Sequence, residues 1–269
     1  MDEHPSANGF PVPTPNPSGS ATLPPPTRGM HVGASRGVHW WTEGWRLFVA
    51  SPWIWILIAV LYFAIMAGLA FIPFIGQIAS TLLLPILGGG VLMGARAQDR
   101  GEDLGVAHLF ACFQHRAGAL VILALIYFAG WFVIWLLGAA MLVGVAGFGA
   151  LGAMLSGDPA QAGAAALAAF GLAAMVVLLL AALLAVPLLM AWWFAPALVI
   201  FRNDEPIAAM KTSFFASLDN VGAFLVYSLV GLALAVLASI PFGLGWLVLA
   251  PVYGASSYAS YVDVFGKPE

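Results

Sequence analysis

The chain alternates long stretches without a single charge and short polar interruptions. No Asp, Glu, Lys or Arg occurs in 48–95, 117–157, 159–201 or 221–262. Each run exceeds the roughly 20 residues that an α-helix needs to cross a bilayer. Interruptions at 73–77, 157–163 and 242–246 divide them into six predicted spans, near 50–72, 76–97, 118–145, 168–200, 221–241 and 244–264. The middle pair is the longest. Its surplus, GAAMLVGVAGFGALGAMLSGDPAQAGAAALAAFG, reads as helices extended past the bilayer, as an interfacial segment or as a further short pair; long helices with a small loop at 157–163 fit best, because Gly, Asp and Pro punctuate the pattern there.

The cations orient these spans. Arg28, Arg36 and Arg46 precede the first run; Arg96, Arg100 and Arg116 follow it; Arg202 and Lys211 follow the third; Lys267 stands near the end. The other connections carry none. An excess of Lys and Arg marks cytoplasmic loops, so all four basic places share the cytoplasmic face, with both termini.

Two hairpins echo one another. LAFIPFIG (69–76) and LASIPFG (237–243) each carry I-P-F at the outer turn, followed by a second Pro, Pro85 or Pro251, and a Gly three residues later, Gly88 or Gly254. The middle hairpin keeps Pro187 and Pro196 in its second helix. A short amphipathic segment precedes each hairpin: HWWTEGWRLF, VAHLFACF and PIAAMKTSFFASL. In the third, Ile207, Met210, Phe214 and Leu218 share a helical face, and Pro206 suits a first turn. These segments read as elbow helices in the inner interface, where Trp40, Trp41 and Trp45 can bury a ring and keep the indole N–H wet. The predicted fold class is therefore an all-α integral membrane protein, six transmembrane helices arranged as three parallel hairpin repeats about an axis along the membrane normal.

A proline inside a helix removes a backbone hydrogen bond, which lipid cannot replace. Pro85, Pro187, Pro196 and Pro251 are thus expected to face protein. They kink helices around either a dry seam, the simpler arrangement, or a cavity. Gly88, Gly89, Gly90 and Gly94 add a G-x-x-x-G face suited to close packing.

Composition agrees with this picture: 62% of the 269 residues are hydrophobic and 8% charged, against about 25% charged in soluble domains. Residues 1–36 hold eight of the eighteen prolines and little to bury, which predicts a disordered cytoplasmic tail ahead of a membrane domain at 37–265. The acidic start, MDEHPSANGF, lacks the pattern of a cleavable signal peptide. The lone Cys112 excludes an intramolecular disulfide and reads as a small apolar filler. A net charge of -3 gives no sign of nucleic acid as a partner.

The chemical inventory is sparse. The predicted hydrocarbon depth holds no Asp, Glu, Lys, Arg or His, so a carrier coupled through a buried carboxylate is not expected. No H-E-x-x-H ligand set exists, and Ser256, Ser257 and Ser260 have no base beside them. His108 and His115 lack a third metal ligand. No catalytic residue and no cofactor is implied. Arg96, Arg100, Arg116, Arg202 and Lys211 are candidate contacts for anionic headgroups, and Arg202 with Asp204, and Asp263, suit ion pairs or caps at the boundary. Membrane lipids are the expected partners, with a second copy or another membrane protein also compatible.

GWRLF, IPFIG, LLLPILGGGVLMGARA, FAPALVIF, SFFASLDNVGAFLVYSL and SYASYVDVF, in that order over about 36–265, resemble a family of bacterial inner-membrane proteins with six predicted helices and no assigned activity. More distantly, the chain looks like the membrane domains attached to some glycerophosphodiester phosphodiesterases. The resemblance implies an inner-membrane location and six helices, and no site residue. The expected role is a non-enzymatic bundle organising lipid or a partner at its cytoplasmic side; the alternative is a channel or uncoupled carrier for small or amphipathic molecules, lined by the Pro-bearing helices.

Overall fold

In the computed structural model, residues 29–268 are described, and among them the chain is helical with no strand. The order is α1 (Arg36–Ala50), α2 (Pro52–Ala70), α3 (Ile75–Asp99), a 3₁₀ turn (Val106–Phe110), α4 (Ala111–Gln114), α5 (Ala117–Ser156), α6 (Pro159–Trp193), α7 (Ala195–Phe201), α8 (Pro206–Asp219), α9 (Val221–Ser239) and α10 (Trp246–Phe265). Five stretches, in α2, α3, α5, α6 running on through α7, and α9, are long and apolar enough to cross a membrane. The sixth expected span corresponds to α10, which is long enough, at 20 residues, but less apolar. Tyr and Ser occupy much of it because most of its surface is covered by protein. Ser256 donates to the Tyr253 carbonyl and so accepts from the Tyr227 hydroxyl (2.6 Å), while Ser260 accepts from Trp193 Nε1 (3.1 Å). A helix surrounded by partners has no need to be apolar all round.

The I-P-F turns take the same form. Pro73 and Pro241 lie between helices, and the following Phe74 and Phe242 both adopt positive φ, 59° and 53°. Both rings project outward, at 86% and 102% exposure. Large aromatic residues tolerate this backbone region poorly, so the repeat in sequence is also a repeat in backbone geometry. The middle turn is tighter than expected: α5 ends at Ser156 and α6 begins at Pro159. At 40 residues α5 is about 60 Å long, twice a hydrocarbon core of about 30 Å.

The short segments sit differently from the expected elbows. The 3₁₀ turn and α4 lie against α3, α8 lies against α6 and α7, and α1 lies against α9 and α10. Each covers the pair of long helices before it, and the first covers the last, so the bundle closes on itself. Glycines permit the closest approaches. A Cβ on Gly44 would stand 2.6 Å from the Val252 carbonyl oxygen and 2.8 Å from the Ser256 nitrogen, and those on Gly37 and Gly90 would meet the Ala223 and Leu109 carbonyls. Trp40 and Trp41 are consequently core residues, 0% and 6% exposed, with N–H groups bonded to Asp263 and the Tyr227 carbonyl rather than to water. Of the three, Trp45 is the one left open to the surroundings, at 52% exposure. On α8 the small residues Ala209, Ser213 and Ala216 face the bundle, and Ile207 and Leu218 point away from it.

The expected tail at 1–36 lies outside the described residues as far as residue 28. Beyond it the chain is held in place: Met30 N–H donates to the Val264 carbonyl, and Asn220 bonds both the Val32 N–H and the Met30 carbonyl.

Candidate functional site

Three buried prolines meet at one place. A cavity of about 440 Å³ lies between α2, α3, α10 and the α6–α7 junction, and Pro85, Pro196 and Pro251 all line it. Pro85 and Pro251 stand inside α3 and α10, where each withholds a backbone donor from its own helix. Pro196 does not kink a continuous helix: the chain breaks at Phe194 and Pro196 occupies the first turn of α7, a position that needs no donor. Pro187, expected to face protein, is exposed on α6. Its ring meets the surroundings on the outside of the bundle because α5 and α6 pair chiefly with each other along their length.

Trp55 closes the end of this chamber nearest the termini. It is fully buried, and its Nε1–H is shared by the Gln98 side-chain oxygen (3.0 Å) and the Leu47 carbonyl (3.2 Å). Ile58, Ala59 and Leu92, all buried, continue the wall, and among the described residues no charged one lines it. Phe63, Leu84, Trp246 and Tyr253 are between 37% and 46% exposed and form the mouth. Gly88 faces the space with nothing within 4 Å of where a Cβ would be. Trp193 sets the opposite wall, with edge-on rings of Phe224, Tyr227 and Tyr253 at 5.2–5.9 Å. Such contacts favour a rigid aromatic wall.

Apart from Asp158 at the α5–α6 turn, the described charged residues gather at the end that holds both described termini. Arg36 pairs with Asp263 through Nε (2.7 Å) and Nη2, and Trp40 Nε1 donates to the same carboxylate (2.9 Å). Asp99, the last residue of α3, takes Lys267 (3.0 Å), Arg46 (3.5 Å) and the Tyr258 hydroxyl (3.2 Å). Arg46 also bonds Glu43 at 2.7 Å. These groups tie α1, α3, α10 and the C-terminal segment together. They enclose a second, polar cavity of about 400 Å³.

The five candidate headgroup contacts occupy varied settings. Arg96 lies over the Phe201 ring (5.4 Å), Arg100 donates to the Pro268 carbonyl (2.6 Å), and Arg116 donates to the Asn203 and Asp204 carbonyls (2.8 and 3.1 Å). Arg202 reaches Asp204 at 3.8 Å and lies over Phe265. Burial pushes the Asp204 carboxyl up, against the opposing pull of Arg202 and Arg116. Lys211 is exposed on α8. Cys112 is fully buried against Met93 and Gly89, and burial pushes its thiol up to about 12. No group of three His, Cys, Asp or Glu among the described residues is arranged to hold a metal.

The Asp99 cluster and the second role of Asp263 as acceptor for Trp40 had no counterpart in the sequence reading. Both depend on α1 crossing to α10, which no local pattern encodes. The one usable signal was Tyr261-Val262-Asp263-Val264-Phe265, a carboxylate among apolar residues at a helix end.

The chain is 29% identical over 236 residues to a "probable inner membrane protein" of Burkholderia thailandensis, across 87% of this chain and 84% of that protein. No family model and no solved structure matches, and nothing in these comparisons bears on the glycerophosphodiester phosphodiesterases. With five helices long and apolar enough to cross a bilayer among the described residues, and similarity along most of its length to a probable inner membrane protein, the chain is an integral membrane protein.

Proposed function

We propose that this is a non-enzymatic six-span protein, with both termini cytoplasmic, that holds an apolar or amphipathic molecule of the membrane in the chamber between its hairpins. The observation that carries the reading is the uncharged 440 Å³ cavity on which the Pro-bearing segments α3, α7 and α10 converge. Pockets of roughly 300–1,000 Å³ with apolar and aromatic walls are the usual form of small-molecule sites. In this reading the protein organises lipid through the chamber more than through its basic end, where Arg36, Arg46, Arg100, Arg116 and Lys267 are engaged with protein partners.

Three hairpins, each following a short segment and each sending a proline to the chamber, also support the three-copy arrangement about an axis along the membrane normal. The same prolines favour an uncoupled carrier as a second reading, because a helix lacking one internal hydrogen bond bends more easily. A holder and a carrier both require the chamber to admit an apolar molecule.

The test is titration of the purified protein with 1-bromododecane, whose heavy atom quenches tryptophan fluorescence on contact. Wild type is expected to show a saturable component from Trp55, Trp192 and Trp193. Gly88→Phe, which fills the chamber without altering any tryptophan, is expected to lose half of that component or more. Superimposable curves for the two proteins would overturn the reading.

A further inference from the structure

We infer that the occupant of the chamber is a single acyl chain of a phospholipid, entering methyl end first at mid-bilayer and pointing toward Trp55. The inference rests on the chamber reading and adds the identity and direction of the ligand.

Volume sets the size. A methylene displaces about as much space as a water molecule in the liquid, about 30 Å³. The 440 Å³ chamber is therefore large enough for the terminal methylenes of one acyl chain and far too small for a whole phospholipid. The lining sets the chemistry. It contains no charged residue, so a phosphate or ammonium group drawn inside would be desolvated without compensation. The headgroup must remain outside.

Geometry sets the direction. The mouth residue Phe63 stands about 17 Å along α2 from Pro52, and Leu84 about 14 Å along α3 from Ile75. Both are close to the midplane of a hydrocarbon core about 30 Å thick, where the methyl ends of the two leaflets meet. From there the walls run toward Trp55, and that end is shut by the Trp55 bonds to Gln98 and Leu47. A chain reaching the chamber through this mouth thus belongs to a lipid anchored at the end of the bundle that carries the I-P-F turns. Trp246, the first residue of α10, borders the mouth on that side, its Nε1–H bonded to Ser239 (3.2 Å).

Gly88 gives the decisive variant. Its Cβ position is open, so Gly88→Phe starts a side chain into the chamber without a clash at the Cβ, and the helix exchanges a residue of low helix propensity for a better one. An aromatic ring on Cβ takes up the space of several methylenes. Ala250→Leu, from the facing helix, serves as an independent filling variant, and the thermal midpoints of both proteins confirm that they fold.

The experiment reconstitutes wild type, Gly88→Phe and Ala250→Leu into phosphatidylglycerol vesicles whose acyl chains carry two bromines, either near the chain terminus or near the carboxyl end. Wild type is expected to be quenched more than either filled variant, and the excess is expected to be about twofold or greater for terminal bromines and small for those near the carboxyl. Equal quenching of the three proteins at both bromine positions would overturn the acyl-chain assignment, and an excess confined to carboxyl-end bromines would overturn its direction. If 1-bromododecane still distinguishes the proteins, the chamber reading survives that failure. If neither probe does, both fall.

Discussion

Trp40→Ala is expected to lower the stability of the detergent-solubilised protein by about 3–5 kcal/mol, the usual cost of deleting a large buried aromatic side chain. Trp40 is fully buried on α1 and touches α9 through Phe224 (5.3 Å) and Tyr227 (5.7 Å), while its Nε1–H reaches Asp263 on α10. One side chain thus joins the first helix to the last two. The cost does not depend on transfer from water alone: the void forfeits ring contacts, and Asp263 loses a hydrogen-bond donor while keeping its pair with Arg36. Trp40→Phe separates these contributions, retaining most of the packing and losing the hydrogen bond, with an expected loss of about 1–3 kcal/mol. Thermal unfolding of the three proteins in one detergent provides the comparison, and a Trp40→Ala midpoint equal to wild type would contradict the placement of α1.

Gly44→Leu is expected to be at least as damaging. The added side chain would meet the backbone of α10 at Val252 and Ser256, and backbone in a helix cannot rotate aside as a flexible side chain does. Overpacking in a rigid site costs about 1–3 kcal/mol, to which the loss of α1 contacts along its length is added. The variant should therefore fail to accumulate or unfold well below wild type. Gly88→Phe introduces a larger side chain into the same bundle with no expected loss. The opposite outcomes at two helical glycines follow from what each one faces, backbone or open space.

Much of the fold was legible in the charge-free runs, because a helix exposed to lipid must be apolar on nearly every side, and α2, α5, α6 and α9 meet that requirement. The I-P-F repeat was legible for a similar reason: two identical turns need the same residues. What escaped was whatever depends on the partner of an element. HWWTEGWRLF is amphipathic whether its tryptophans meet headgroups or α9 and α10, so pattern alone assigned Trp40 and Trp41 to the interface. Pro187 and Pro196 are equally Pro in an apolar run, and only the break at Phe194 directs the second inward and leaves the first outside. α10 shows the reverse case. Its Tyr and Ser residues weaken the apolar signal because they are paired across to Tyr227 and Trp193. The chamber belongs to the same class, since a cavity is set by what several separate helices leave unfilled.

The central claim is that α10 crosses the bilayer, which places the I-P-F turns and the charged end on opposite faces. Single cysteines at Phe242 and at Lys267 bracket that helix, and the native Cys112, buried with its thiol pushed up to about 12, stays silent toward maleimide in the folded protein. In intact spheroplasts a membrane-impermeant maleimide is expected to label Phe242→Cys directly and Lys267→Cys only after lysis. Labelling of both before lysis, or of neither, would contradict the six-span account.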